Sequence, residues 1–328
     1  MLILNASDVR KALPMKAAIE ATKRAYGALS KGKAEVPLRG QLPVEKHDGV
    51  SLIMPAYVET KGDEAMAVKI VSVFPGNRER GMPIIHAAVI ALDAETGAPI
   101  AIMEGGVLTA IRTGAASGAA TDLLARPDSK TAAIFGAGVQ GRTQLEAVCT
   151  VRPIEQAWIY DLEQPSVEQF VADMAGKGAI PPDLRAAKTP QQAVENADVI
   201  CTATTARSPV FPDEAVKPGT HINGVGAYTL DMVEVPPETI GRSSVYVDSV
   251  EAVLEEAGDV VAALNENLVR QNDWVELGHV VEDRSLGRSS EDEITFFKSV
   301  GVAVQDAIAA QLALHNAEQE GFGQQVAW

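Results

Sequence analysis

The sequence predicts an α/β protein: a doubly wound parallel-sheet domain in the middle of the chain, a separate α+β domain before it, and a last segment that returns to the first domain. Three observations predict this. Apolar strands alternate with helical patterns between residues 131 and 248, a glycine-rich turn joins the first of those strands to its helix, and about 130 residues of different patterning come first. With 328 residues, the chain has the length of about two domains. Its 46% hydrophobic residues, with only 5% aromatic, suffice for cores filled by Ala, Val, Ile and Leu.

The first domain opens with a capped start at Ser7 and Asp8 and an amphipathic helix over 16–29, followed by strands over 51–54, 65–73 and 84–92. A bridge, MEGGVLTAIRTGAASGAATDLLARP, comes next. From Thr113 its run of Gly, Ala and Ser predicts a helix with almost no side-chain bulk, which lets another backbone or a ligand approach closely. Arg112 falls at the start of that helix, where a guanidinium opposes the helix dipole, so it either has an anionic partner or is a surface arginine. Glu104, before Gly105 and Gly106, either orders Arg112 or a cofactor hydroxyl, or caps the helix.

The central domain is expected as strand 131–136, helix 139–150, strand 156–161, helix 166–176, then strands near 184–187, 198–203, 220–225 and 245–248. The run IFGAGVQG supplies its key turn. Gly136 permits the tight turn, Gly138 the close approach of a pyrophosphate and Gly141 the packing of helix on strand, while the helix N-terminus at Val139 and Gln140 offers N–H groups to phosphate. Such a turn also arises for packing alone. Asp161 lies 20 residues after Gly141, at the end of the next strand, where a carboxylate binds ribose hydroxyls; the alternative is an ordinary strand-end aspartate. It would repel a 2′-phosphate, and no arginine follows in 162–166, so NADH is favoured and NADPH is the alternative. Thr202, Ala203 and Thr204, and Gly224 and Gly226 on either side of Val225, end two later strands with small residues that let a nicotinamide lie against backbone at Thr202 to Thr204, Val225 and Gly226, or that simply make turns. The segment 294–300 with a helix over 302–315 returns to the first domain, and QEGFGQQVAW reads as a loose tail.

Composition narrows the function classes. A net charge of −16 without a Lys/Arg-rich run argues against nucleic acid or an anionic membrane as partner, and no segment has the apolar length of a membrane span. The expected location is cytoplasmic. Cys149 and Cys201 lack CxxC spacing and sit in apolar stretches, as inert buried thiols do. The five histidines lack HxH or HExxH spacing, so no metal is expected, and no GxSxG elbow occurs.

The motifs VPLRG, LIMPAY, AVKIVSVFPGN, RTGAASGAAT, IFGAGVQG and THINGVGAY, in this order, resemble the ornithine cyclodeaminase and mu-crystallin family over nearly the whole chain. The resemblance implies a homodimer with a Rossmann NAD-binding domain (116–299) inserted in an α+β substrate-binding and dimerisation domain (1–115 plus 300–328). It implies that Arg39, Lys69 and Arg112 hold the carboxylate of a small amino- or imino-acid substrate, with Thr113 at the cofactor. Arginine suits such a role because its fork matches a carboxylate, while lysine acts as a point charge or proton donor.

Two departures separate subfamilies. Cyclodeaminases carry a catalytic aspartate where this chain has Tyr228. They also have an acid, and archaeal-type alanine dehydrogenases an arginine, where this chain has Leu52. The mu-crystallin-like branch fits better, through Arg39, Lys46, His47, Met54 to Tyr57 and Asp231. That branch implies reduction of cyclic ketimines such as 1-pyrroline-2-carboxylate and 1-piperideine-2-carboxylate. His47 would then touch substrate, unless it is a surface-loop histidine, and Leu52 and Met54 would wall the ring. The proton would come from Lys69, or from Asp231 through a water. An NAD-dependent alanine-type dehydrogenase, an ornithine cyclodeaminase and a non-catalytic crystallin-like binding protein are the alternatives.

Overall fold

The computed structural model describes residues 1–60 and 62–327. The chain divides into two compact units, Met1–Arg112 with Val302–Trp328, and Thr113–Gly301. In the first unit the chain forms β1 (Leu2–Leu4), α1 (Ala6–Ala12), α2 (Met15–Ser30), β2 (Ala34–Glu35), β3 (Gly40–Val44), β4 (Gly49–Thr60), β5 (Asp63–Val73), β6 (Ile85–Leu92) and β7 (Pro99–Glu104). The cap of α1 is Asn5 rather than Ser7 or Asp8. Asn5 is the extended residue, its Oδ1 accepts from the N–H of Ser7 (2.8 Å) and Asp8 (3.1 Å), and Asp8 completes the capping box by accepting from Asn5 N.

β4 runs well past the expected end at Met54, straight through Pro55. Proline is tolerated there because β3 pairs with β4 only as far as Ile53 and β2 begins at Tyr57, so the missing N–H falls between two partners. β4 and β5 form a long hairpin with the register Met54↔Lys69 and Ile53↔Ile70. Alternation then sends Met54, Ala56 and Val58, with Ala65, Ala67 and Lys69, to a buried face, and leaves Ile53 and Ile70 44% and 40% exposed on the other.

α3 (Gly105–Leu124) carries the chain from the first unit into the second. It starts eight residues earlier than expected from Thr113, because Glu104 caps it by accepting from the N–H of Gly106 (2.8 Å) and Val107 (2.7 Å). Arg112 is therefore inside the helix and not at its dipolar end. The predicted close approach holds: a Cβ on Gly114 would lie 2.6 Å from the carbonyl oxygen of Thr143. At the C-terminus of α3, Arg152 donates to the carbonyls of Asp122, Ala125 and Arg126, and Arg288 to that of Leu124, placing cations where the dipole favours them.

The second unit continues with β8 (Thr131–Phe135), α4 (Val139–Val151), β9 (Gln156–Tyr160), α5 (Gln164–Met174), β10 (Asp183–Ala186), α6 (Pro190–Val194), β11 (Val199–Thr202) and β12 (His221–Gly224). It closes with α7 (Pro237–Gly241), β13 (Ser244–Val247), α8 (Val250–Glu256), α9 (Gly258–Asn265), β14 (Val275–Glu276), α10 (Leu277–Glu282) and β15 (Thr295–Lys298). The strands form one parallel sheet in the order β10-β9-β8-β11-β12-β15-β13-β14. β15 corrects the expectation that 294–300 returns to the first domain. All four of its residues are buried, and it slots between β12 and β13.

Only the following helix returns. α11 (Ala303–Glu320) belongs to the first unit and lies against α2, β4 and β5, burying Ala303, Val304, Ala307, Ile308, Ala310, Ala313 and Ala317. The tail is not loose either. β16 (Gln324–Gln325) pairs antiparallel with β1, and β1 pairs with β7, so the end of the chain closes the edge of an eight-stranded sheet among the described residues. No helix among the described residues is long and apolar enough to cross a membrane.

Candidate active site

Lys69 stands in the middle of the buried face of the first unit's sheet. Met54 on β4 and Val89 on β6 are directly opposite it on either side, and Met103 on β7 continues the row. An ammonium in such a row has lost its water, so it needs a counter-ion. α11 supplies one: Asp306 Oδ2 accepts from Lys69 Nζ at 2.7 Å, with side-chain exposures of 1% and 2%. The other oxygen of Asp306 accepts from Arg112 Nε at 3.0 Å, and Arg112 Nη1 donates to Gln305 Oε1 at 3.0 Å. Two of the three guanidinium nitrogens are thus engaged, which leaves Nη2 as the one without a protein partner among the described residues.

Burial lowers the Lys69 pKa, Asp306 opposes it, and the charges of Arg112 and Arg39 lower it further, to about 8. Burial pushes Asp306 up, but Arg112 and Lys69 outweigh it and hold the carboxyl below its usual range. Arg39, half-buried just ahead of β3, thereby joins Lys69 and Arg112 in one electrostatic cluster. Two cations share one buried carboxylate, and a third charge acts on Lys69.

Of the remaining residues expected at substrate, Met54 is buried at the cluster and Leu52 is half-buried two positions away on the same face. His47 is exposed on the turn between β3 and β4, in a cleft with Phe74, Asn77 and Arg80, and among the described residues no bond joins it to Lys69. Asp231, in the second unit, is exposed, accepts from Thr229 Oγ1 at 2.6 Å and pairs with Arg207 at 3.0 Å. The Thr229 hydroxyl first, and then Arg207, hold its carboxyl below the usual range.

The nucleotide turn lies after β8, between the outward-running β9 and β11, where the strand order reverses and ligands bind in open α/β sheets. Gly136 has φ +101°, and a Cβ on it would meet the Ala203 carbonyl at 2.6 Å. On Gly141 a Cβ would lie 1.9 Å from the Gly136 oxygen, whereas on Gly138 it would meet nothing within 4 Å. No side chain caps α4 at Gly138, and Val139 is 65% exposed, so the helix N-terminus opens onto free space. Gln140 is half-buried in the same turn, and Asp161 Oδ2 accepts from Ala137 N at 2.7 Å, bringing its carboxylate beside the glycine turn. Thr113 is buried on α3, where its carbonyl accepts from Gln144 of α4. These residues fit a dinucleotide: the cradle has room, free N–H groups and a ribose acid.

Sequence reasoning missed Glu234. Its fully buried carboxylate accepts from Thr202 Oγ1 (3.1 Å), Thr204 N (2.6 Å), Thr204 Oγ1 (2.8 Å), Gly226 N (2.7 Å) and Ala227 N (2.9 Å). It thereby ties together the two loops expected to flank the nicotinamide, with Ala203 between two of its anchor points and Val225 just before another. Asp306 and Gln305 were missed too; the signal available was a lone carboxylate within the apolar run VAVQDAIAA. Burial pushes the thiols of Cys149 and Cys201 up to about 12, which leaves neither as a nucleophile. Among the described residues no group of three or more His, Cys, Asp or Glu is placed to hold a metal ion.

A doubly wound parallel sheet with this turn at its switch point is a dinucleotide-binding fold. The chain belongs to the ornithine cyclodeaminase/mu-crystallin family, whose model matches residues 1–321. It is 38% identical to a Delta(1)-pyrroline-2-carboxylate reductase of Bacillus cereus, over 99% of each chain. Among solved structures it is similar to the Thermococcus litoralis Delta(1)-pyrroline-2-carboxylate reductase in complex with NADH and L-proline. That likeness has 46% identity and a TM-score of 0.93, over 99% of this chain and 100% of the other. An archaeal alanine dehydrogenase dimer with bound NAD matches at 32% identity and a TM-score of 0.90, over 100% and 99%.

Proposed function

We propose that the protein is an NADH-dependent reductase of small cyclic 2-imino acids, converting 1-pyrroline-2-carboxylate to L-proline or 1-piperideine-2-carboxylate to L-pipecolate. The observation that carries this reading is the buried cluster on the first unit. Lys69 and Arg112 share the single carboxylate of Asp306, so the trio keeps one net positive charge for one substrate carboxylate, Arg39 adds its field at Lys69, and Met54 lies beside Lys69 as an apolar surface for ring methylenes. The relatives named as reductases of this imine, and the neighbour that holds NADH and L-proline, support it.

When bound, NADH would be the source of the hydride that the C=N carbon needs. Arg39 and Arg112, the latter through Nη2, hold the carboxylate, and Lys69 gives the imine nitrogen its proton, so that one C=N double bond becomes CH–NH. Asp231 is a poorer proton source, since its partners hold it ionised. Gly136, Gly138 and Gly141 would make room for the pyrophosphate, Val139 and Gln140 would offer it N–H groups, and Asp161 would take the ribose hydroxyls. Thr113, Thr202, Ala203, Thr204, Val225 and Gly226 would line the nicotinamide. Tyr228, in place of the cyclodeaminase aspartate, removes the acid that deamination requires.

We read the first unit as the substrate-binding and dimerisation domain of a cytoplasmic homodimer. The cross-strand pair Ile53 and Ile70, exposed on the sheet face opposite Lys69, gives a second copy an apolar surface to cover, and the alanine dehydrogenase neighbour is a dimer. Ile53→Glu should yield monomer in sedimentation.

The deciding assay follows the loss of reduced-nicotinamide absorbance with 1-pyrroline-2-carboxylate, beside pyruvate plus ammonia, and beside L-ornithine with catalytic NAD. Oxidation with the cyclic imine alone is expected. Turnover only with pyruvate plus ammonia would make the protein an amino-acid dehydrogenase instead.

A further inference from the structure

We propose that Asp306 is a positioning residue of this site: from the returning helix α11, its two oxygens fix Lys69 and Arg112 and keep Lys69 an ammonium that can give up a proton. The proposal rests on the reading of Lys69 as proton donor.

The geometry assigns each carboxylate oxygen its own cation, Oδ2 to Lys69 Nζ and Oδ1 to Arg112 Nε. With side-chain exposures of 1%, 2% and 7%, the three groups have almost no solvent to serve as counter-ion. Among the described residues, the groups that act on Lys69 besides Asp306 are apolar or cationic. Met54 comes from β4 and Val89 from β6, Arg112 comes from α3, and Arg39 acts from the segment ahead of β3. Desolvation and two guanidinium charges all favour the neutral amine, which cannot protonate an imine, and Asp306 is the opposing charge.

The carboxylate is itself held in place by the first turn of α11. Gln305 Oε1 accepts from Val302 N at 3.0 Å and from Arg112, while its Nε2 donates to the buried Tyr26 hydroxyl of α2 at 2.9 Å. These bonds fix the backbone of that turn, and with it the point from which Asp306 reaches Lys69 and Arg112.

The test compares wild type with Asp306→Asn, a replacement of equal volume, and with Asp306→Glu, which keeps the charge. Their pH profiles of kcat/KM are recorded with 1-pyrroline-2-carboxylate and NADH. Titration of the imine itself is common to all three and cancels. The alkaline limb should move to lower pH by about one unit or more in the Asn variant and return toward wild type in the Glu variant. A limb that stays in place while activity falls uniformly would mean a structural role only, and overturns the proposal.

Competitive acetylation of Lys69, read by mass spectrometry across pH, measures the same property without substrate. Its midpoint should be near 8 in wild type and lower by about one unit or more in Asp306→Asn. An unmoved midpoint in that variant, or a wild-type midpoint below neutral pH, overturns the proposal, and the second criterion applies even if the Asn chain does not fold. A shifted midpoint in a protein that leaves the imine untouched would retain the role of Asp306 and remove the proposed substrate.

Discussion

The carboxylate of Glu234 accepts from the backbone N–H of Gly226 at 2.7 Å, at a point where a Cβ on that glycine would lie 2.5 Å from the same side chain. One buried acid thus takes the place of a side chain at Gly226 and anchors the loop after β12 to the loop after β11. Glu234→Ala would strand backbone and hydroxyl donors at both loops. The expected loss is about 3–5 kcal/mol in guanidinium unfolding, with weaker NADH binding by titration, and Glu234→Gln should lose less. A cost under about 1 kcal/mol would mean that water replaces the carboxylate without loss.

Two glycines of the same turn should behave oppositely. Gly141→Ala forces a methyl group to 1.9 Å from the Gly136 oxygen, so helix α4 must shift, and destabilisation by about 1–3 kcal/mol or more is expected. Gly138→Ala meets nothing in the protein and should keep its stability, but its methyl group enters the nucleotide space and should weaken NADH binding. Thermal unfolding and NADH titration of both variants check the contrast. Unimpaired NADH binding by the Gly138 variant would place the pyrophosphate elsewhere.

Cofactor choice should follow the charge beside the turn. Replacing Asp161 by Ser removes the carboxylate that would repel a 2′-phosphate, and also the acceptor of the Ala137 N–H. The ratio of kcat/KM for NADPH over NADH should rise about tenfold or more, a change of about 1.4 kcal/mol. An unchanged ratio would assign the preference to another residue.

Acid stability should depend on His221. The ring is fully buried between Thr295 Oγ1 (2.9 Å) and Asn223 Oδ1 (3.2 Å), and burial, with Arg288 adding to it, lowers its pKa to about 3 from the ordinary 6.5. Between those values the unfolded chain binds a proton that the folded chain does not. Stability is then complete above the unfolded pKa and is lost as pH falls through this window. His221→Gln, which removes the titration, should reduce the proton uptake on unfolding between pH 4 and 6 by about one proton. Equal uptake in wild type and variant would mean that the ring is already charged in the fold.

What could be read from the sequence was whatever is encoded locally. The strand, glycine turn and helix from Thr131 to Val151 were legible because each glycine answers a need of its own turn. Lys69 came from the family resemblance and Arg112 from its place in the small-residue bridge, yet their shared partner lies 237 and 194 residues away, beyond any spacing rule. The start of α3 was misplaced because Gly105 and Gly106 look like a break until Glu104 is seen capping them. Strand β15 falls to the second unit by the domain bounds that the resemblance implies but to the first by its place before the returning helix, because an apolar run of four residues does not say which sheet it joins.

The return of α11 also sets an order of assembly during synthesis. The second unit is one continuous stretch, 113–301, and has all its parts once residue 301 has been made. The first unit, although it begins the chain, lacks the helix that seals its sheet until residues 303–320 leave the ribosome. The usual sequence, in which the N-terminal domain folds first, is thereby inverted. Until then the nascent sheet has an uncovered apolar face with Lys69 at its centre, so a ribosome stalled short of Asp306 presents a chaperone with a surface that the finished protein never shows.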